Sequence, residues 1–197
     1  MGGKLRWFIS GSAPLSLEII EFFHAAGMIV LEGYGLTETN SITTVNRMDR
    51  FKFGTVGQVH HKNLSLAIAN DGEILTKGIT NFKGYYKMPE ATKEAIDEEG
   101  WFHTGDIGEL DADGFLKITD RKKDLIKTSA GKFVAPQMLE GLLRLHPLVT
   151  QAIVIGDRHK YITSLLAINL EACFLWLQKK SGTSIQKEQI NTHPLLL

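Results

Sequence analysis

"KLRWFISGSAPLSLEIIEFFHAAGMIVLEGYGLTET", residues 4–39, reads as a strand, a helix and a second strand. The opening run alternates in strand fashion and stops at Gly11-Ser12-Ala13-Pro14. Ser16 then offers a side-chain N-cap, with Glu18 in the first turn of the helix that follows. Ile19, Ile20, Phe22, Phe23 and Ala26 give that helix a broad apolar face, and Gly27 stops it. "MIVLE" is a short apolar run of the kind buried in a parallel sheet. A βαβ unit places ligand-binding loops at the carboxyl ends of its strands. Two loops fall there, "SGSAPL" and "GYGLTETN".

Beyond about residue 42 the texture changes to short strands separated by turns, of which "LSLAIA", "EILTKG" and "FLKIT" are the clearest. Asn70-Asp71-Gly72 and Asp111-Ala112-Asp113-Gly114 carry the turn chemistry, and a helix around "PEATKEAIDEEG" interrupts the strands, with Pro89 near its start and Gly100 after its end. After Asp124 the pattern predicts a strand, a helix from Pro136 to about Leu145, strands at 149–155 and 162–168, and a helix at 171–180. The fold class is therefore α/β with a β-rich subdomain, followed by a small α+β domain. The expected division is 1–120 and 121–197.

Composition excludes several classes. At 197 residues, 43% hydrophobic and 22% charged, the chain is neither disordered nor fibrous. Lys plus Arg and Asp plus Glu both number 22, so there is no global field to attract nucleic acid. No apolar run has the ~20 residues of a membrane span. The single cysteine, Cys173, has no internal disulfide partner; as a buried thiol in an apolar stretch it suits a reducing, cytoplasmic setting.

The candidate chemistry sits in two loops. In Gly33-Tyr34-Gly35-Leu36-Thr37-Glu38-Thr39 the glycines allow a sharp turn and close approach to a ligand. Tyr34 offers a flat face for stacking on a base, while the Thr37 hydroxyl and the hard Glu38 carboxylate suit a phosphate with its Mg²⁺. A helix start with Thr37 as N-cap fits the same residues. In Thr104-Gly105-Asp106, the Asp after a glycine turn suits the paired hydroxyls of a ribose, and a structural Asx-turn fits equally. Arg121 supplies a rigid donor fork, Lys122 and Lys123 read as surface charges, and His103 as a packing or hydrogen-bonding histidine.

Taken in order, these segments resemble a known family. "GSAPL", "EGYGLTET", "GYYKMPEAT", "GWFHTGDIGELDADGFLKITDRKKDLIK" and "GKFVAP" recur in the order found in AMP-forming acyl-CoA synthetases, the adenylate-forming enzymes that include firefly luciferase and aryl-CoA ligases. The long-chain fatty acyl-CoA synthetases look most similar. The resemblance implies a two-step reaction. A fatty carboxylate attacks the α-phosphate of Mg·ATP to give acyl-AMP and pyrophosphate; the small domain then rotates, and the thiol of coenzyme A displaces AMP. Carried over by position, Ser12, Ala13 and Pro14 border the adenine pocket, Gly33 and Tyr34 meet the base, and Tyr34 stacks on it. Thr37 meets the phosphates, Glu38 holds Mg²⁺, and Asp106 and Arg121 take the ribose hydroxyls. The hinge falls within Asp120 to Lys123, Lys127 serves the thioester-forming orientation, and Gly131 lines the pantetheine tunnel. The expected partners are thus fatty acid, ATP and CoA, with peripheral membrane contact and no nucleic acid.

The chain also departs from the family pattern. The Ser/Thr/Gly-rich phosphate loop ending in Pro-Lys-Gly belongs well upstream of "GSAPL", and the adenylation lysine belongs in a Gly-Lys segment near the end, which "KKSGTSIQKEQINTHPLLL" does not contain. The expectation is a chain incomplete at both ends and inactive by itself. The alternatives are a fatty acyl-AMP ligase that hands the acyl group to a carrier protein and a non-catalytic nucleotide- or partner-binding module. Ala130, where the family usually has glycine, adds a methyl group beside the implied CoA path.

Overall fold

In the computed structural model, which describes residues 3–13 and 15–181, the βαβ unit forms as the hydropathy pattern predicts. Strand β1 (Phe8–Ser10) lies parallel to β2 (Val30–Tyr34), in register from Phe8↔Val30 to Ser10↔Glu32. Helix α1 (Leu17–Ala25) connects them, and the Ser16 hydroxyl accepts a bond from Ile19 N at 3.4 Å. Of the apolar face of α1, Ile20 is buried, while Phe22 is exposed. Antiparallel β3 (Thr44–Val45) and β4 (Gln58–Val59) extend the sheet in the order β1-β2-β3-β4.

A second sheet is an antiparallel meander of β5 (Leu64–Ile68), β6 (Glu73–Gly78), β7 (Phe102–Leu110) and β8 (Leu116–Arg121). Its tight turns are those expected: Gly72 at φ 86° closes β5–β6, and Asp111 Oδ1 accepts from Asp113 N and Phe115 N to close β7–β8. Helix α2 (Pro89–Ala95) is shorter than the sequence pattern predicts. Ile96 becomes extended to form a bridge with Phe102, and Asp97 Oδ1 accepts from Trp101 N at 2.8 Å, so tertiary pairing ends the helix before Gly100. The core of this part joins Ile74 and Leu116, both fully buried, to Tyr34.

The chain divides into two units, Met1–Lys123 and Asp124–Leu197. The second contains a hairpin of β9 (Ile126–Lys127) and β10 (Phe133–Val134), then helix α3 (Pro136–Arg144). A longer hairpin follows, β11 (Val149–Ile155) with β12 (Thr163–Ile168), and then α4 (Leu170–Ser181). Cys173 and Leu177 are fully buried on α4 against Leu148 and Trp176, and burial pushes the thiol up, as suits an inert side chain. Among the described residues no helix is long and apolar enough to cross a membrane.

Ile74 makes the first unit's core testable. Ile74→Ala should destabilise that unit by about 2–5 kcal/mol, through lost transfer energy and the cavity left behind. Ile79→Ala, at a side chain 73% exposed, should stay within about 0.5 kcal/mol of wild type. Urea titration followed by amide exchange of the meander strands distinguishes the two; equal effects would mean that Ile74 does not anchor the core.

Candidate functional site

The tripeptide Thr104-Gly105-Asp106 does not lie in a loop. It is a bulge inside β7. Strands β6 and β7 pair Thr76↔Phe102 and Leu75↔His103, but the next pair is Glu73↔Ile107. From Leu75 to Glu73 is two residues and from His103 to Ile107 four, so β7 carries two extra residues there. Such a bulge bends its strand and re-aims a side chain. Gly105 sits at φ +73° with open space where a Cβ would be, so backbone conformation rather than crowding requires the glycine. The polar groups of the bulge are satisfied from β6. Thr104 Oγ1 donates to Ile74 O at 2.7 Å, and Gly105 N donates to Glu73 Oε1 at 2.9 Å.

The bulge turns Asp106 inward. Its carboxylate is nearly buried, and Oδ2 accepts from the Tyr34 hydroxyl at 2.7 Å. Arg121, directly opposite Asp106 on β8, places Nε 3.7 Å from Oδ1 while its own side chain stays about half exposed. Burial raises the Asp106 pKa, outweighing the Tyr34 bond and the Arg121 charge. Burial, then Asp106 itself, pushes the Tyr34 phenol far up, so it remains a donor. Tyr34, Asp106 and Arg121 are therefore one constellation, and its aspartate is bound through Tyr34 and Arg121, not in an Asx-turn.

Tyr34 differs from the open stacking face that its sequence context suggests. Only 9% of it is exposed, and its ring packs with Ile74 and Leu116. The flanking glycines also have an internal reason. A Cβ on Gly35 would stand 1.4 Å from Ser41 O, and one on Gly33 3.3 Å from Thr44 O. Both serve close approach by the segment that follows them.

Past β2, residues Thr37–Thr39 form a single 3-10 turn. Thr37 is its first residue and is not the cap; Thr39 Oγ1 closes the turn by accepting from Leu36 N at 2.9 Å. That leaves the Thr37 side chain exposed. Glu38 is half-buried, and its Oε1 accepts from the Tyr85 hydroxyl at 3.0 Å. After β1, Ser12 adopts a left-handed φ of 67°, uncommon for a residue with a side chain, and both Ser12 and Ala13 are exposed. Pro14 lies outside the described residues.

Lys127 and Gly131 belong to the second unit, where they share the β9–β10 hairpin. Lys127 is exposed, with Nζ 5.3 Å from the Phe133 ring centre; Gly131, at φ 79°, donates to Thr128 O at 2.8 Å. Lys122, read from sequence as a surface charge, is exposed and also forms ion pairs with Asp71 at 2.7 Å and Glu73 at 2.8 Å. Glu73 and Tyr85 are site neighbours that sequence reasoning missed. Their partners lie tens of residues away, and no local spacing signals them.

Residues 1–86 match the AMP-binding enzyme family. Long-chain-fatty-acid–CoA ligase FadD15 of Mycobacterium bovis is 46% identical over 184 residues, 93% of this chain and 30% of that protein. Long chain acyl-CoA synthetase 1 of Arabidopsis thaliana is 39% identical over 211 aligned residues, 100% of this chain and 32% of that protein. The fold matches o-succinylbenzoate CoA synthetase from Bacillus subtilis in complex with its acyl-adenylate intermediate OSB-AMP, with a TM-score of 0.76 at 30% identity, over 86% of this chain and 37% of that one. The chain is similar to the AMP-binding, adenylate-forming enzymes and carries part of their fold. Within them, its curated relatives are long-chain-fatty-acid–CoA ligases, of whose length it spans about a third.

The raised pKa of Asp106 makes a signed prediction. A carboxyl group whose pKa is raised by folding contributes stability below its unfolded value, near 3.9, and loses that contribution as pH rises through the folded value. Asp106→Asn removes the titration. The variant should be more stable than wild type at pH 7, and the difference should shrink as pH falls through the raised folded value and level off below about 4. Thermal melts across pH 3–8 check this; a variant less stable than wild type at pH 7 would show that Asp106 is held mainly as a structural anion.

Proposed function

We propose that this chain supplies the nucleotide face and the joint of a long-chain fatty acid–CoA ligase. The fatty carboxylate attacks the α-phosphate of ATP, giving acyl-AMP and pyrophosphate; the CoA thiol then displaces AMP. The observation that carries the reading is the Tyr34–Asp106–Arg121 constellation, a buried carboxylate with one neutral donor at 2.7 Å and a cation at 3.7 Å. Asp106 retains acceptor capacity for two ribose hydroxyls, and the exposed Arg121 guanidinium donates beside it.

The remaining roles follow from position. Ser12, Ala13 and Pro14, with Gly33, border the adenine, and the base meets Tyr34 along the part of its ring left uncovered by the core. The Thr37 hydroxyl, exposed on its turn, faces the phosphates. Glu38 fits Mg²⁺: it is a hard carboxylate whose second oxygen has no protein partner among the described residues. A magnesium ion held there would offset charge on the phosphate oxygens. Among the described residues no group of three His, Cys, Asp or Glu side chains could hold a metal, so the other ligands would come from phosphate and water. Lys127 and Gly131, on one hairpin of the second unit, serve the thioester step, with Lys127 at the reacting end and Gly131 along the pantetheine. A cytoplasmic location with peripheral membrane contact belongs to the same proposal; the free, buried Cys173 supports a reducing compartment.

In the full-length protein, Asp106→Ala should raise the KM for ATP about 10- to 150-fold. That equals about 1.5–3 kcal/mol for a lost charge-assisted hydrogen bond. Lys127→Ala should leave fatty-acid-dependent ATP–pyrophosphate exchange intact and slow CoA-dependent release of AMP from preformed acyl-AMP. An unchanged KM in the first variant removes Asp106 from the ribose. Equal loss of both half-reactions in the second removes Lys127 from the thioester step.

A further inference from the structure

One carboxylate reaches both the nucleotide bulge and the edge of the joint. Glu73, the first residue of β6, is 4% exposed. Its Oε1 accepts from Gly105 N at 2.9 Å, the left-handed residue that precedes Asp106. Its Oε2 accepts from His103 Nδ1 at 2.9 Å and from Lys122 Nζ at 2.8 Å. A carboxylate can only accept, so the imidazole donates from Nδ1, and Nε2 lies 3.7 Å from Asp97 Oδ2. Lys122 is also held by Asp71. Its neighbour Lys123 has no side-chain hydrogen bond or ion pair among the described residues. Two adjacent lysines thus have opposite situations, one pinned from two sides and one open, and the first unit ends at the open one.

Glu73 is buried while the Lys122 side chain is about half exposed, so desolvation and solvent screening offset much of the attraction, and the pair counts for where it holds the two groups. The donors on Glu73 are not distributed at random over the sheet. Two flank or form the bulge, and the third is the residue that follows β8.

We propose that Glu73 is a positioning residue: it holds Gly105 in the conformation that aims Asp106 at the ribose, and through Lys122 it fixes the chain where it leaves β8. The inference rests on the reading of Asp106 as the ribose acceptor, and the exchange measurements below do not depend on that reading.

The test is amide hydrogen exchange on this chain for three variants. Glu73→Gln keeps an oxygen for Gly105 N but loses the charge facing Lys122. Gly105 should stay within about threefold of wild type, while amides 122–125 exchange at least about tenfold faster. Glu73→Ala should accelerate both places, and Lys122→Met only residues 122–125. An unmoved Gly105 in Glu73→Ala, or equal acceleration over all of β5–β8 in all three variants, overturns the proposal and leaves an ordinary structural ion pair. With AMP as the probe in the full-length protein, affinity should fall in Glu73→Ala and in Asp106→Ala. Unchanged affinity in Glu73→Ala alone also overturns the positioning role. Unchanged affinity in both, with the exchange pattern as expected, sinks the ribose reading and leaves the positioning intact.

Discussion

The hydrogen bond from Tyr34 to Asp106 joins residues 72 positions apart, the last residue of a parallel strand and the inward corner of a bulged antiparallel one. Because burial holds the phenol protonated, it always has a proton to give, and an otherwise desolvated carboxylate has a partner. The same tyrosine ring packs with Ile74 and Leu116, so the polar contact sits at the end of an apolar one. The two sheets meet again where Val56 N donates to Leu116 O and Leu116 N to Gly57 O, both at 2.8 Å. Gly57 is confined there, since a Cβ would fall 1.9 Å from Val45 C. The position of the candidate ribose acceptor therefore depends on how two sheets pack, with Tyr34 as the common member.

Two carboxylates at one bulge have opposite pKa shifts, and the difference is a matter of donors. Burial pushes both up. Glu73 nevertheless falls below the ordinary range, because Lys122, His103 and Gly105 N all bond to its charged form. Asp106 rises, because it has one neutral donor and a cation too distant and too solvated to offset the burial. Glu73 is saturated by the protein. Asp106 is not, and an underserved buried acid in a site is where a ligand supplies the missing donors. Under the proposed function, the instability that this leaves in the free protein is the ordinary accompaniment of a preorganised binding group.

What could be read from sequence was local. The βαβ unit was legible in residues 4–39 because apolar period, N-cap and terminating glycine all lie within a few residues of what they specify. Tyr34, Asp106 and Arg121 could be named through the ordered motifs, although nothing in the spacing says that they touch. The bulge was not legible. A strand with two extra residues loses its alternation where the extra residues sit, so Thr104-Gly105-Asp106 reads as a turn until β6 is placed beside it. The sequence pattern predicts a longer helix α2 for a similar reason, since the bridge from Ile96 to Phe102 is a tertiary contact that propensity does not anticipate. Lys122 and Lys123 are one residue type in adjacent positions, and only the carboxylates 49 and 51 residues upstream, Glu73 and Asp71, tell them apart.

A joint works only where its two sides are held and the residue between is not. On the near side, Arg121 is paired opposite Asp106 in β8, and Lys122 is fixed by two carboxylates. On the far side, Asp124 Oδ2 accepts from Gln137 Nε2 at 3.2 Å on α3, and Ile126 is buried. Lys123 is the middle residue of a 3-10 turn, Lys122–Asp124, between these anchors, and under the proposed function a rotation there would leave the Asp106 contacts undisturbed. Under the proposed function, a lysine held at that one position would let the nucleotide anchor and the joint lie side by side in the chain.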